Sequence, residues 1–365
     1  MHRRSFLQAG AAASLLGSLP RVSLAQQRPF DPQPGPWRSF EITTRVELQW
    51  PEGVSRAWVP VPSVEGPYQK LIGNAWSGNG SARIVSDGKY GAGMVMAEWN
   101  PSEKNPVIEV VSQFATRNRA VDLSKRDPSI KPLDAPTYAF YTAPTELIQT
   151  DGIVREKARQ ITKGKFSDMD KARAIYEWIV DNTARDPKTR GCGIGDVKSM
   201  LESGNLKGKC ADLNALYVGL ARAAGLPSRD VYGLRVARSE FGYRSLGAGS
   251  PNVTRAQHCR AEVYLTGYGW VPVDPADVRK VVLEEKAEPT TLADPLVPPV
   301  RRKLFGAWEM NWLAYNEAHD VRLPGSKGPA VGFLMYPQAE TGKERLDSLD
   351  PDGFKYTITA RELKA

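Results

Sequence analysis

Three residues in this chain have the types and spacing for covalent chemistry: a thiol at Cys210, an imidazole at His258 and a carboxylate at Asp274. Cys210 follows Gly208-Lys209 and precedes apolar residues at Leu213, Leu216, Tyr217, Leu220, Ala221 and Ala224, the period of an amphipathic helix. It therefore stands at a helix N-terminus, where unpaired N–H groups and the helix dipole favour thiolate over thiol. A small apolar residue heading a core helix would give the same pattern, so the partners decide between the two readings. The chain has three histidines: His2 lies at the extreme N-terminus, and His319, in Glu317-Ala318-His319-Asp320, reads as an ordinary surface or core residue. His258 remains, with the ability to take and return a proton, while a nearby acid would fix its tautomer and stabilise the imidazolium.

The elements that must position these groups follow from alternation. Cys259, Ala261, Val263 and Leu265 are apolar at odd positions, as are Val271 and Val273 beyond a Thr266-Gly267-Tyr268-Gly269 turn. His258, Arg260, Glu262 and Tyr264 face the other way with Trp270, Pro272 and Asp274. If both apolar sets cover one core, opposed residue numbers sum to an even value and the hairpin loop holds an odd number of residues. With the loop at residues 266–268, Asp274 lies opposite Arg260 and one diagonal step from His258, within hydrogen-bonding reach. The same parity turns Cys259 into the opposite layer and sets it aside as the thiol that His258 serves. Cysteine and histidine also hold metals, but the spacing is sparse and no C-x-x-C occurs, so no metal is expected. With three cysteines, a nucleophilic Cys210 leaves Cys192 with Cys259 as the only possible disulfide, the other reading being two reduced core residues.

Around this stretch the 365 residues suggest two domains. Arg3-Arg4, a short apolar run and Ser23-Leu24-Ala25 resemble a twin-arginine export signal over residues 1–25, too short to span a bilayer. A periplasmic or secreted protein without stable membrane insertion is expected. Of the +8 formal charge, Arg3, Arg4 and Arg21 lie in that leader and leave a mild +5. No basic stripe interleaved with aromatics points to nucleic acid. Strands are expected over residues 40–50, 57–61, 82–85, 94–99 and 107–117, forming an antiparallel β-sandwich over residues 37–145. Residues 120–150 read as a connector. A helix capped by Ser167 and a short one capped by Asp196 and ended by Gly204 precede the Cys210 helix. The glycines of Gly191-Cys192-Gly193-Ile194-Gly195 lack the strand and Lys-Ser/Thr of a nucleotide loop. Residues 238–257 form a long loop whose Phe241 and Tyr243 suit either a substrate-facing wall or a plain insertion. In the C-terminal part, a helix or loop over residues 308–315 and two strands are expected.

The blocks Gly208-Lys209-Cys210-Ala211-Asp212-Leu213-Asn214-Ala215-Leu216, Leu220-Ala221-Arg222-Ala223-Ala224-Gly225-Leu226-Pro227-Ser228-Arg229, His258 with Glu262-Val263-Tyr264, and Gly269-Trp270-Val271-Pro272-Val273-Asp274-Pro275 resemble the transglutaminase-like superfamily. The resemblance covers residues 150–285 and implies an α+β fold: a papain-like core, with a nucleophile helix on an antiparallel sheet, preceded by the sandwich, with residues 300–365 packing on both. It implies a Cys210-His258-Asp274 triad forming a thioester from peptide or protein amides, including cell-envelope peptides, by hydrolysis or acyl transfer. No cofactor is implied, and no calcium loop of the animal enzymes is evident. Asp212, Phe241, Tyr243, Arg260 and Trp270 are the accompanying candidates for substrate contact. Where the superfamily usually has His-Ala-Trp, Cys259 and Arg260 follow His258, so a cation replaces an indole. The reading from another class is a non-catalytic envelope protein that binds partners or acts as a scaffold and keeps only the fold.

Overall fold

Strand Arg38–Glu47 buries Phe40, Ile42, Thr44 and Val46 in strict alternation, as a sheet with one covered face requires. The computed structural model describes residues 29–342 and 344–364 and places this strand in a four-stranded antiparallel sheet. Its neighbours are Val107–Thr116 and Lys355–Leu363, with Gln69–Gly78 at the edge. A second sheet holds Ser55–Pro60, Gly93–Trp99 and Ser81–Ser86 together with Gln338–Thr341 and Glu344–Arg345. Val46, Val59, Val95, Trp99, Val110 and Phe354 fill the space between the two sheets. This is a β-sandwich, but one in which the C-terminal strands pair edge to edge with the N-terminal ones instead of packing on them from outside.

The second layer system is built on the sheet Gly269–Val273, Gln257–Leu265, Ser228–Arg235, Trp312–Asn316, antiparallel throughout. Helix Cys210–Ala223 lies on it and also meets helices Gly152–Ile161, Asp168–Asn182 and Pro275–Glu284. Enclosed on all sides, it buries every residue from Cys210 to Arg222. A helix with apolar residues around its whole circumference can be stable only in such a place. Its one long charged side chain, Arg222, is satisfied by the Ser228 and Ala143 carbonyls, both at 2.9 Å. The caps expected at Ser167 and Asp196 are formed, each side chain accepting from the N–H three residues on. Gly204 ends the short helix at φ 68°, a left-handed position suited to glycine.

Three elements differ from expectation. Residues 312–316 form a strand, Trp312–Asn316, that completes the sheet beside Ser228–Arg235. All five of its residues are buried, so neither helical nor strand periodicity shows in the sequence. Gln69–Gly78 is a further strand, an edge whose Ile72 and Trp76 are exposed and whose pairing shifts register at Leu71/Gly73. Inside the connector, helix Ala135–Thr142 is capped by Asp134. The twin-arginine segment lies outside the described residues. Among the described residues no helix is long and apolar enough to cross a membrane.

Candidate active site

Pairing of Leu265 with Gly269 and of Ala261 with Val273 gives the hairpin a three-residue loop, odd as parity required. His258 and Asp274 consequently meet, with His258 Nε2 at 2.7 Å from Asp274 Oδ2. Asp274 is also the N-cap of helix Pro275–Glu284: its Oδ1 accepts from Asp277 N at 3.0 Å and from Asn214 Nδ2 at 3.4 Å. A second acid, Asp277, brings Oδ2 to 3.3 Å from the same His258 nitrogen. Sequence reasoning missed Asp277, although Asp274-Pro275-Ala276-Asp277 has the cap-x-x-acid spacing of a helix start. Arg235 balances the pair of carboxylates at 2.5 Å from Asp277 Oδ1, and Arg260 Nε lies 3.5 Å from Asp274 Oδ2. With Nε2 committed to the acids, Nδ1 is the ring nitrogen left to exchange a proton with a thiol.

Burial and the Arg235 guanidinium both oppose charge on His258. Asp277 and Asp274 outweigh them and raise its pKa to about 9. Burial also acts on the acids. It raises Asp274, with the charge of Asp277 adding to the effect, whereas at Asp277 the attraction of Arg235 wins and the carboxyl stays well below its usual range.

Cys210 is the first residue of its helix and is 3% exposed, at the floor of a cleft of about 600 Å³ that His258 and Cys192 also line. Hydrogen bonding with the thiol of Cys192, then with that of Cys259, holds its pKa well below that of an ordinary cysteine; the adjacent His258 adds to this against desolvation. Backbone bonds fix the geometry. Ala211 N donates to the Cys192 carbonyl at 2.9 Å, and the Asp212 carboxylate accepts from Ile194, Gly195 and Lys209 N–H at 2.9–3.0 Å. Gly193, at φ 94°, closes this loop so tightly that a Cβ there would overlap the Asp212 carboxylate. One turn after Cys210, Asn214 donates to the Cys259 carbonyl at 2.8 Å and so ties the nucleophile helix to the hairpin.

None of the five residues singled out for substrate contact lines this cleft. Asp212 is spent on the Cys192 loop. Phe241 and Tyr243 pack edge-on against Phe30 in the helical core, and the Tyr243 hydroxyl donates to the Leu296 carbonyl at 3.0 Å. Arg260 is buried, donating to the Glu309 carbonyl at 2.9 Å with its guanidinium 4.6 Å from the Trp312 ring centre. Trp270 packs edge-to-face with Tyr141 and Tyr264, under Arg229. The long loop does form a cleft wall, through Gly247–Gly249, Asn252 and Thr254–Gln257, and Ser348, Leu349, Pro351 and Phe354–Tyr356 of the C-terminal segment form another. His319 is a core residue whose Nδ1 meets the Tyr232 hydroxyl at 3.3 Å.

Cys259 does face away from His258, but not away from Cys210. The nucleophile helix packs on the odd-numbered face of the hairpin, and the sulfurs of Cys192, Cys210 and Cys259 all lie within 4.8 Å of one another. Parity separated Cys259 from the imidazole and left the helix free to sit on either side. The disulfide left by elimination is not formed, and all three cysteines are free thiols.

A family model described as the transglutaminase-like superfamily matches residues 155–275, the span holding Cys210, His258 and Asp274. An uncharacterized protein of Haemophilus influenzae is 38% identical over 341 residues, covering 89% of this chain and 91% of that one. The chain belongs to the transglutaminase-like superfamily. It shares the fold of a crystal structure titled "Putative Cysteine Protease", from Cytophaga hutchinsonii, at TM-score 0.51 and 15% identity over 90% of this chain and 99% of that one. The periplasmic domain of TgpA from Pseudomonas aeruginosa overlaps more loosely, at TM-score 0.34 and 13% identity over 73% of this chain and 93% of that one. The superfamily match and the buried thiol at a helix head both point to a cysteine enzyme.

Proposed function

We propose that this protein is an exported cysteine enzyme that opens amide bonds of peptides or proteins through a thioester on Cys210. The observation that carries the reading is the His258 ring, bound through one nitrogen by two carboxylates, beside a thiol whose pKa lies far below normal. The Cys210 thiolate attacks the carbonyl carbon. His258 delivers its proton to the departing amine, and Asp274 holds the ring and stabilises its charge. Water or a second amine, activated by the then neutral His258, attacks the thioester and regenerates the thiolate. The first N–H of a helix has no intrahelical acceptor, so that of Cys210 is a ready donor to the developing oxyanion.

The cleft also bears on the substrate. Arg185, Lys209, Arg235, Arg255, Lys280 and Lys355 line it, and no Asp or Glu does among the described residues. Four of these cations have acidic partners outside the cleft lining; Lys209 and Arg255 have no ion pair among the described residues. Acyl donors with carboxylates close to the scissile amide fit this lining, a class that includes acidic envelope peptides.

The test is a screen of acidic, neutral and basic peptides, with and without amine acceptors, against wild type and Cys210→Ala. Turnover by wild type, lost entirely in Cys210→Ala, is expected. For acidic peptides kcat/KM should fall with added salt while that for neutral ones stays level. Alkylation of Cys210 by iodoacetamide should proceed well below pH 8 and weaken in His258→Ala. Alkylation no faster than that of a free cysteine would sink the mechanism.

A further inference from the structure

Acyl transfer requires one thiol, yet the fold gathers three. Cys192 comes from the loop anchored by Asp212, Cys210 from the helix head and Cys259 from the hairpin strand; all three are buried and free. Their sulfurs lie within 4.8 Å of one another, and the thioether of Met335 stands 3.9 Å from Cys259 Sγ. A single ion about 2.3 Å from each of three thiolates requires sulfurs about 4 Å apart. We propose that Cys192, Cys210 and Cys259 form a binding site for a soft monovalent cation, Cu(I), with the Met335 thioether beside it, and that loading the site withdraws Cys210 from acyl transfer. Binding stands on the sulfur geometry alone; only its effect on turnover rests on the function proposed above.

The donor set selects the ion. Structural zinc takes four ligands from thiolate, imidazole and carboxylate. Here a thioether stands against the third thiol, while Asp274 and Asp277 already hold His258 through Nε2. Thiolate with thioether is the ligand set of Cu(I). Cys192 and Cys210 open on the cleft, which supplies an entry path, and Arg235 and Lys280 in its wall moderate the negative charge of a loaded site. The thiol protons leave on binding, so no oxidant or reductant takes part.

The experiment is an anaerobic titration of the full, reduced chain with Cu(I) supplied as its bathocuproine disulfonate complex, followed by X-ray absorption at the copper edge and by mass spectrometry of alkylated protein. One copper per chain with three sulfur neighbours is expected, together with loss of Cys210 alkylation. Affinity should drop at least tenfold in Cys259→Ser and by less in Met335→Leu. Retention of all copper by the chelator would overturn the proposal, as would fewer than three sulfur neighbours in wild type, a count that needs no variant. Copper binding that Cys259→Ser leaves unchanged counts against it equally, and Zn(II) bound as tightly would overturn the choice of ion. Should Cys210→Ala retain turnover, the proposed function fails while the copper count in wild type still decides the site.

Discussion

His258 and Cys259 are neighbours in sequence and lie on opposite faces of one strand, and the two faces build opposite environments. On the His258 side are two carboxylates, two guanidinium groups and an imidazole within a few ångströms. On the Cys259 side three thiols and a thioether sit among Ala211, Leu213, Tyr232 and Ala276. Both sets are buried, yet only the ionic one depends on complete pairing. A buried charge without its partner costs far more than a buried thiol, which behaves as a small apolar group. Cys210 lies where the two environments meet and draws on both: the neighbouring thiols favour its thiolate, and the ionic face supplies the proton carrier.

The contrast breaks most severely at Arg235. Replacing it with Met takes from Asp277 its guanidinium partner, and stability should fall by roughly 3–5 kcal/mol, read as the midpoint shift in chemical denaturation. Cys259→Ala, the matching lesion on the apolar face, should cost a small fraction of that. A comparable loss in both variants would refute the asymmetry.

A second effect is on pH. Because His258 titrates at about 9, the imidazolium persists below that value and is lost above it. Peptide turnover should decline as pH rises through 9, while iodoacetamide alkylation, which needs only the thiolate, does not. In Asp277→Asn a charge that raises the His258 pKa is gone, so the alkaline limb should move to lower pH. An unmoved limb would show that Asp274 alone sets the imidazole. The smallest effect is expected at Cys192→Ala. Loss of the thiol that donates to Cys210 should shift the pH midpoint of alkylation upward, with little change in thermal stability.

Local pattern made much of this legible. Helical periodicity marked Cys210 as a helix head, and strand parity required an odd hairpin loop and put His258 and Asp274 on one face, since both are consequences of period and register alone. Asp277 was within reach through its spacing from Asp274, had the cap been read as part of the site. Trp312–Asn316 was not legible, because a strand buried on both faces has no alternation to read. Neither were the cleft walls from residues 348–356, which meet the thiol only through pairing across the whole length of the chain.

Sequence by itself determined the superfamily and the identity and order of the thiol, imidazole and carboxylate, because these depend on residue type and on spacing within single elements. Tertiary structure alone decided which face of the hairpin the nucleophile helix covers. That choice brought Cys192 and Cys259 to Cys210, since parity tells which side chains share a face but not what packs against it.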